Sequence, residues 1–298
     1  MISTMSRPLI AVDWGTSSLR AARIGAGGEV LEERSSRRGI LTVPAGGFPA
    51  VLQETCGDWL PGTLCLISGM AGSKQGWREA PYCACPAGFD ELGRALAWIE
   101  PGRIGIVPGL SCEQEGVPDV MRGEEVQIFG ALSLLELRDG VFVLPGTHSK
   151  WAEVRGGAVQ SFRTCMTGEV YALLRQHSIL ARTLPPEDGP LQEDAFLQGV
   201  RHAKTAGSLL ASAFSARTLA LFERLAPPAQ ASYLSGLVIG EELRAQGTLP
   251  PHVVLIGSSA LTQRYTLALG EHGTGTRSLG SPATWRGLWA LASTLETP

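Results

Sequence analysis

The chain has 298 residues, 44% of them hydrophobic and 18% charged, so it can bury the cores of about two domains. Its formal net charge is -3 at pH 7 and its acidic and basic residues are interleaved, which argues against nucleic acid as a partner. No apolar stretch reaches the ~18 residues of a membrane-spanning helix, and the start MISTMSRPL has no basic segment followed by an apolar one, so we expect a cytoplasmic protein without a membrane partner.

The first predicted elements are a strand, a turn and a second strand, in LIAVDWGTSSLRAARI at residues 9–24. Glycines at positions 25, 27 and 28 predict a hairpin to a further strand. Hydroxyl groups and backbone amides in the turn can donate to a phosphate, and a neighbouring carboxylate can hold Mg²⁺ through water. The residues that would do so are Asp13, Gly15, Thr16 and Ser17. The alternative is that Asp13 starts an Asx turn in an ordinary hairpin.

The six cysteines are scattered along the chain. The only close pair, Cys83 and Cys85, lacks the CxxC spacing of a zinc site and has no matching second pair. We therefore expect free thiols, as in a reducing compartment.

Helical spacing of apolar residues predicts helices at residues 88–99, 124–140 and 283–295. Two of them carry small residues that allow another helix to approach closely. These small residues are Gly130, Ala131, Ala283, Gly287 and Ala290. The two helices could cross between halves of the protein as a hinge or pack inside one domain, and the spacing leaves both interpretations open.

The segment VFVLPGTHSKWAEVRGGAVQSFRT, residues 141–164, repeats the layout of the chain's start. It predicts a buried strand, a Gly-Thr-His-Ser turn, a second strand, a turn at Gly156 and Gly157, and a third strand. The repetition suggests duplicated α/β halves that face each other across a cleft. Further on, MTGE at residues 166–169 predicts a helix start, for which capping by Thr167 is favoured over a phosphate site.

Three segments resemble the superfamily of ATPases that contains actin, hexokinase and Hsp70. DWGTSSLR resembles its first phosphate motif, PGTHSKW (145–151) its second phosphate hairpin, and LIGSSALTQRY (255–265) its adenosine motif. More narrowly, the chain resembles the 2-dehydro-3-deoxygalactonokinase family of sugar-acid kinases. The supporting stretches span nearly the whole chain: GMAGSKQGWREAPY (69–82), VPGLS (107–111), PDVMRGEEVQIFGAL (118–132), LPGTHSKW (144–151), MTGEVYALLRQHSIL (166–180) and YLSGLVIGEEL (233–243).

The resemblance implies an α/β fold with two actin-like (ribonuclease H-like) ATPase domains facing a cleft. Residues 1–138 would form the N-terminal domain, with the first phosphate turn and much of the substrate side. Residues 139–298 would carry the second phosphate turn and the adenosine site, with the last helix returning to the hinge. The implied activity is ATP- and Mg²⁺-dependent phosphorylation of 2-dehydro-3-deoxy-D-galactonate at its C6 hydroxyl, giving 2-dehydro-3-deoxy-6-phosphogalactonate and ADP, in galactonate catabolism.

The resemblance also assigns nucleotide- and phosphate-binding residues. They are Asp13 (which would also hold Mg²⁺ through water), Gly15, Thr16, Ser17, Gly146, Thr147, Ser149, Lys150, Gly257, Ser258 and Ser259. Members of the family often carry a second glycine or an acid after the first glycine of the adenosine motif, where this chain has two serines. Serine is still small enough for adenine and ribose to approach the backbone.

The catalytic base implied by the superfamily is a carboxylate at the start of the first interdomain helix, where Glu124 and Glu125 stand. Neighbouring helical residues point about 100° apart, so only one faces a substrate squarely. The resemblance to the asparagine–aspartate pair of hexokinases favours Glu125 as the base, with Glu124 bonded to the substrate or to ligands of Mg²⁺. The order could be reversed, both acids could simply complement the helix dipole, and Asp119 is a weaker third candidate. Substrate-binding candidates are Arg20, Lys74, Gln75, Trp77, Arg122 and His148; arginine can grip a carboxylate, whereas a lone histidine is more often structural.

Two other classes of function remain on the same scaffold: a non-catalytic, nucleotide-gated binding protein and a phosphate-ester or polyphosphate hydrolase. The sequence also leaves open the galacto or gluco configuration at C4 of the substrate. An exposed apolar hairpin could make a homodimer.

Overall fold

The computed structural model describes residues 8–295, so residues 1–7 of the MISTMSRPL segment and residues 296–298 lie outside the described part of the chain. The strands are β1 (Leu9–Trp14), β2 (Leu19–Ile24), β3 (Val30–Ser36), β4 (Leu64–Gly69), β5 (Tyr82–Ala84), β6 (Ala97–Glu100), β7 (Ile104–Ile106), β8 (Gly109–Gln114), β9 (Val117–Met121), β10 (Gly140–Leu144), β11 (Ser149–Arg155), β12 (Ala158–Cys165), β13 (His252–Ile256) and β14 (Gly275–Leu279). The helices are α1 (Phe48–Cys56), α2 (Phe89–Arg94), α3 (Glu124–Leu135), α4 (Thr167–His177), α5 (Glu193–Thr205), α6 (Leu209–Ser212), α7 (Ser215–Leu221), α8 (Pro227–Ala245), α9 (Ser259–Gly270) and α10 (Pro282–Leu295).

The chain divides into two compact units, which we call unit 1 and unit 2. Unit 1 contains the described residues up to Gly140, Ala152–Arg163 and the residues from Leu279 onward, whereas unit 2 contains Val141–Trp151 and Thr164–Ser278. Within residues 8–295, no helix is long and apolar enough to cross a membrane.

A six-stranded sheet in the order β3-β2-β1-β4-β7-β6 forms the centre of unit 1. β1 and β2 are antiparallel, as the predicted hairpin requires, and β1 is parallel to β4. β1 is buried on both faces because almost all of its residues are apolar. Its register places Asp13 opposite Ser68 and Trp14 opposite Gly69, so the carboxyl ends of β1 and β4 meet at one edge of the sheet.

The same strand pattern recurs in a second sheet, whose order is β12-β11-β10-β13-β14. The three strands and two turns predicted over residues 141–164 are confirmed as β10, β11 and β12. β10 runs parallel to β13, as β1 does to β4. A third, three-stranded sheet has the order β5-β8-β9.

Aromatic side chains pack around Trp14 of β1 in unit 1. The ring of Trp14 lies 5.2 Å from that of Phe48 on α1, and Trp77 stacks on Phe48 with a centroid distance of 6.1 Å. The loop that contains Trp77 is therefore anchored to the same core as the first phosphate turn.

Helices α3 and α10 pack backbone to backbone through their small residues. A Cβ atom on Gly130 would lie 1.7 Å from the carbonyl oxygen of Ala283, so no larger residue fits there. The close approach that the small residues predict is confirmed, and both helices belong to unit 1. Their role as a hinge stays a prediction.

The single helix predicted over residues 88–99 is wrong in its second half. Helix α2 ends at Arg94, and Ala97–Glu100 form strand β6, which pairs antiparallel with β7 at the edge of the first sheet. Residues 97–100 form a strand because hydrogen bonding to β7 stabilises it more than the helix that their apolar spacing favours locally.

Candidate active site

The turn predicted to bind phosphate after β1, which we call the first phosphate turn (residues 15–18), exposes its hydroxyl groups. Thr16 and Ser17 are exposed, and the turn closes through a 2.9 Å hydrogen bond from Gly15 N to Ser18 O. Gly39 braces the turn from outside, because a Cβ there would lie 2.3 Å from Thr16 O. The predicted residues are thus together in one turn, and Gly39 is a contributor that the sequence analysis missed.

Asp13 lies at the carboxyl end of β1 with a partly exposed carboxylate. Arg20, its neighbour on β2, forms a salt bridge from Nη2 to Oδ2 of Asp13. Gly69 stands beside it in a left-handed conformation (φ 93°), and a Cβ there would come within 2.9 Å of Trp14 O and 3.4 Å of Asp13 Oδ1. The carboxylate of Asp13 is therefore held by the guanidinium of Arg20 and lies close to the backbone of Gly69. This salt bridge occupies the guanidinium of Arg20.

Glu125 is the most unusual acid of unit 1, because its side chain is completely buried. Gly123, at φ 104°, donates its N–H to Oε2 over 2.7 Å, whereas Oε1 has no hydrogen-bond partner among residues 8–295. Burial, helped by the neighbouring Glu124, raises the pKa of Glu125 to about 8. A buried carboxylate with one unpartnered oxygen and a pKa near neutrality is suited to accept a proton from a bound hydroxyl.

Glu124 differs from Glu125 although both open helix α3. Its Oε2 accepts a 3.0 Å hydrogen bond from the backbone N–H of Arg122, and its side chain is only partly buried. Both acids thus reach back to backbone groups at the helix start, as complementing the helix dipole would require. Complete burial and an unpartnered oxygen distinguish Glu125.

Arg122 joins the helix start to the loop that contains GSKQGW. Its Nη2 donates to Ala80 O over 2.8 Å, and its guanidinium lies 4.3 Å from the centre of the Tyr82 ring. The buried Nε and Nη1 atoms have no hydrogen-bond partner among the described residues. Two unpaired cationic donors are a suitable receptor for a carboxylate.

Ser68, at the end of β4, is a candidate that the sequence analysis missed. Its side chain is 1% exposed, and its Oγ has no partner among residues 8–295. It lies opposite Asp13 in the β1–β4 register, and a Cβ on Gly123 would lie 3.9 Å from it. Its only sequence signal is a small polar residue that ends an apolar run, which is too common to identify a site.

The GSKQGW loop offers exposed polar groups beside a packed indole. Lys74 and Gln75 are exposed, whereas Trp77 is partly buried and stacks on Phe48. One face of the indole is therefore covered by the core. Asp119, the third candidate acid, lies on β9, pairs in register with Cys112 and contacts its own strand through Val120 N.

The second predicted phosphate turn (residues 145–148), which we call the second phosphate turn, follows β10 in unit 2 and contacts the start of α4. A Cβ on Gly168 would lie 2.5 Å from Gly146 O, and Glu169 N donates to Thr147 O over 3.1 Å. His148 Nε2 pairs with Glu169 Oε2 at 2.6 Å. Thr147 and His148 are exposed, so the turn presents side chains outward while α4 supports its backbone.

Ser149 and Lys150 point into the protein. Ser149 is fully buried and its hydroxyl donates to Glu242 over 2.8 Å. Lys150 is 5% exposed and its Nζ donates to Thr164 Oγ1 over 2.7 Å. Both side chains are thus occupied by internal contacts that hold the strand after the turn, and the structure does not bring their polar ends out beside Thr147.

Thr167 is not the helix cap that the sequence suggested. Met166 occupies the cap position without a side-chain cap hydrogen bond, and Thr167, the first helical residue, donates its hydroxyl to Glu242. The hydroxyl of Thr167 bonds the carboxylate of Glu242 on another helix in preference to a backbone group of its own helix start. A tertiary contact therefore determines the role of this hydroxyl.

The predicted adenosine motif lies beside the second phosphate turn. Strand β13 and helix α9 form as predicted, and a Cβ on Gly257 would lie 3.5 Å from Pro145 O. Ser258 and Ser259 are exposed at the start of α9. A cavity of about 210 Å³ opens here, lined by Gly146, Thr167, Gly168, Tyr171, Asp188, Ser235, Val238, Ile239, Ala260, Leu261, Arg264 and Tyr265.

Comparison with known proteins identifies relatives along the whole chain. A model of the 2-keto-3-deoxy-galactonokinase family matches residues 13–291. The chain is 34% identical over 293 residues to the 2-dehydro-3-deoxygalactonokinase of Escherichia coli (strain K12), a match covering 97% of this chain and 98% of that protein. It is 37% identical over 299 residues to a proposed 2-dehydro-3-deoxygalactonokinase of Rhizobium meliloti (strain 1021), covering 94% and 97%.

Solved structures share the fold. A crystal structure of a proposed 2-dehydro-3-deoxygalactonokinase from Sinorhizobium meliloti matches with a TM-score of 0.89 and 34% identity, over 98% of this chain and 100% of that chain. The (R)-2-hydroxyglutaryl-CoA dehydratase component A of Acidaminococcus fermentans, at 12% identity, matches with a TM-score of 0.54 over 97% of each chain and bears on the fold alone. The expected α/β fold of the two-domain, actin-like ATPases is confirmed.

Proposed function

The chain belongs to the 2-keto-3-deoxy-galactonokinase family, and from this membership we propose that it transfers the γ-phosphoryl group of ATP to the C6 hydroxyl of 2-dehydro-3-deoxy-D-galactonate. The products are 2-dehydro-3-deoxy-6-phosphogalactonate and ADP. The protein is thus a sugar-acid kinase of carbohydrate metabolism, and the pathway that fits its substrate is galactonate catabolism in the cytoplasm. A homodimer stays a prediction.

The observation that carries the proposal beyond family membership is the unpartnered Oε1 of the buried Glu125. In its ionised form Glu125 accepts the proton of the substrate hydroxyl as that oxygen attacks the γ-phosphorus. Its raised pKa makes it a stronger base than a solvated carboxylate. Glu124 supports the same helix start and contacts the substrate or the ligands of Mg²⁺.

The carboxylate of the substrate binds Arg122, whose Nε and Nη1 have no partner among the described residues. Tyr82 covers the guanidinium and lowers its exposure to water, which strengthens a charge-assisted hydrogen bond. Lys74, Gln75 and Trp77 contact the polar remainder of the sugar acid, and Ser68 supplies a buried hydroxyl near Glu125.

Unit 1 also carries the first phosphate turn. Gly15, Thr16 and Ser17 donate to phosphate oxygens, while Arg20 holds the neighbouring Asp13 in place. Residues 8–295 contain no cluster of three or more acidic, histidine or cysteine side chains that could hold a metal. A single carboxylate is compatible with Mg²⁺, which keeps several waters and binds phosphates, so Asp13 would hold it through water. When bound, Mg²⁺ neutralises charge on the phosphates.

Unit 2 binds the nucleotide. The cavity beside the second phosphate turn, whose lining includes Gly146 and Ala260, accepts adenosine. Gly257, Ser258 and Ser259 contact the nucleotide from the turn before α9, and Gly146 and Thr147 contact its phosphates. His148 donates to a phosphate or to the substrate while Glu169 orients its ring. Ser149 and Lys150 act by holding the strand that follows the turn.

The test is ADP release by the purified protein with ATP, Mg²⁺ and either 2-dehydro-3-deoxygalactonate or its C4 epimer. The proposal predicts strong stimulation by the galacto acid and formation of its 6-phosphate, followed by ³¹P NMR. Glu125→Gln should abolish transfer, while Glu124→Gln, the matched neighbour, should retain more of it. ADP formed without phosphorylated sugar acid would instead favour a hydrolase, and ATP binding without turnover would favour a nucleotide-gated binding protein.

A further inference from the structure

Glu242 on helix α8 is a buried carboxylate to which the proposed chemistry assigns no task. Its side chain is 4% exposed, and four donors converge on its two oxygens. Oε1 accepts from Ser149 Oγ at 2.8 Å and from Trp151 Nε1 at 2.6 Å. Oε2 accepts from Tyr265 OH at 2.6 Å and from Thr167 Oγ1. Such saturation is what allows an ionised group to remain in the interior.

The four donors belong to the elements that frame the proposed nucleotide site in unit 2. Ser149 and Trp151 are on β11, directly after the second phosphate turn. Thr167 opens α4, next to the residue that supports Gly146, and Tyr265 is on α9, which follows the adenosine motif. Thr167 and Tyr265 also line the 210 Å³ cavity.

Glu241, the neighbour of Glu242 on α8, is also an acid but has different contacts. Glu241 forms a salt bridge with Arg244 one turn along the same helix and is more exposed. Only the acid that faces inward links β11, α4 and α9.

We propose that Glu242 is a positioning residue of the nucleotide site: its carboxylate holds the second phosphate turn, the start of α4 and helix α9 at a fixed spacing, without itself contacting ATP. The inference rests on the proposed nucleotide site of unit 2. It adds a residue whose effect on ATP is indirect, transmitted through Ser149, Thr167 and Tyr265.

The chemistry explains why a carboxylate is needed and what its amide would change. An ionised carboxylate only accepts hydrogen bonds, which matches four donors. In Glu242→Gln, the indole N–H of Trp151 requires the amide oxygen on its side, so the amide NH₂ faces Thr167 and Tyr265. Both hydroxyls must then turn round to accept, and they no longer anchor α4 and α9 as donors.

The experiment compares steady-state kinetics of variants with the wild type, varying ATP at saturating sugar acid and sugar acid at saturating ATP. Glu242→Gln should raise KM for ATP by about tenfold or more, because two charge-assisted hydrogen bonds are replaced by weaker neutral ones, and leave KM for the sugar acid within about twofold. Thr167→Val should also raise KM for ATP, and Thr167→Ser, which keeps the hydroxyl, should have the KM for ATP of the wild type.

A pair of tyrosines supplies the matched control. Tyr265→Phe removes one donor to Glu242 and should raise KM for ATP. Tyr233→Phe removes the hydroxyl of a tyrosine of unit 2 that is as little exposed as Tyr265, a hydroxyl that bonds Ser215 at 2.8 Å, and should leave KM for ATP unchanged. Binding of the non-hydrolysable analogue AMP-PNP, measured by calorimetry, should follow the same order among folded variants.

The outcomes separate this inference from the function on which it rests. A wild-type protein that neither binds AMP-PNP nor phosphorylates the sugar acid contradicts the proposed function. A working wild type in which Glu242→Gln and Thr167→Val bind ATP normally overturns the positioning role. Equal increases in KM for ATP and KM for the sugar acid, or equal effects of Tyr265→Phe and Tyr233→Phe, would also overturn it, because they indicate a general loss of stability.

Discussion

A Cβ atom on Gly287 would lie 1.9 Å from the carbonyl oxygen of Val126, so helices α10 and α3 touch through their main chains. Val126 immediately follows Glu125. The last helix of the described chain therefore supports the helix turn that carries the proposed base.

Gly287→Ala should destabilise the protein by about 3 kcal/mol, because overpacking of this kind forces the backbones apart. Denaturant unfolding monitored by circular dichroism measures the change. Gly270→Ala is the control, since it places a methyl group at the exposed end of helix α9, where nothing lies within 4 Å. It should be neutral or slightly stabilising. Equal behaviour of the two variants would contradict close packing between α3 and α10.

Glu125→Gln should stabilise the folded protein while abolishing activity. Burial raises the pKa of Glu125 from an ordinary value of 4.5 to about 8, so the folded protein retains a proton that the unfolded chain releases. The contribution of this group to stability therefore falls as pH rises from about 4.5 to about 8 and levels off above. The glutamine amide of Glu125→Gln does not ionise, so the variant does not lose this stability as pH rises.

Thermal unfolding from pH 5 to pH 9 tests the stability effect. The advantage of Glu125→Gln over wild type should be small at pH 5, grow up to about pH 8 and then remain constant. Glu124→Gln controls for the loss of one negative charge at the helix start. A constant difference at every pH would contradict the raised pKa.

The pH profile of catalysis should show the same group. Because the proposed base works only when ionised, kcat/KM for the sugar acid should rise with pH below about 8, by up to about tenfold per unit, and level off above. Initial rates in buffers of constant ionic strength measure it. A flat profile between pH 6 and pH 9 would assign the rate-limiting proton transfer to some other group.

Arg122→Lys should raise KM for the sugar acid at least tenfold and leave KM for ATP nearly unchanged, because a point charge replaces a planar donor set. An analogue that lacks the carboxylate should lose this sensitivity to the substitution. Arg103→Lys, at an exposed arginine paired with Glu100, is the control and should keep wild-type kinetics. If both substrates are affected equally, Arg122 acts by supporting the fold of the loop around Ala80.

Gly168→Ala should weaken ATP binding, since its Cβ would lie 2.5 Å from Gly146 O and 2.8 Å from Thr147 Cα and would displace the second phosphate turn. Calorimetric titration with AMP-PNP measures the loss, which should be about tenfold or more. Gly270→Ala serves again as the control. Unchanged affinity would show that the turn does not need its present position.

Local patterns in the sequence predicted the elements around both turns. Asp13, the Gly-Thr-Ser turn, the three strands of residues 141–164 and the acids that open α3 are all where strand patterning and turn residues place them. The pattern failed at residues 97–100, where an apolar run at helical spacing pairs as an edge strand because β7 lies beside it.

Contacts between distant residues could not be predicted from spacing. Glu241 and Glu242 look alike in the sequence, yet one is a surface partner of Arg244 and the other is surrounded by four donors from three other elements. The family resemblance assigns Ser149 and Lys150 to phosphate, whereas their hydrogen-bond partners Glu242 and Thr164 lie 93 and 14 residues away in the sequence. These hydrogen bonds depend on which helices and strands pack together in the fold.

Unit 1 contains both β1 and α10, so all of unit 2 is translated between the first and last segments of unit 1. During synthesis on the ribosome, Gly130 and the rest of that face of α3 have no partner until α10 emerges. The last step in the assembly of unit 1 must therefore follow translation of unit 2, and proteolysis of nascent chains of increasing length would reveal when α3 becomes protected.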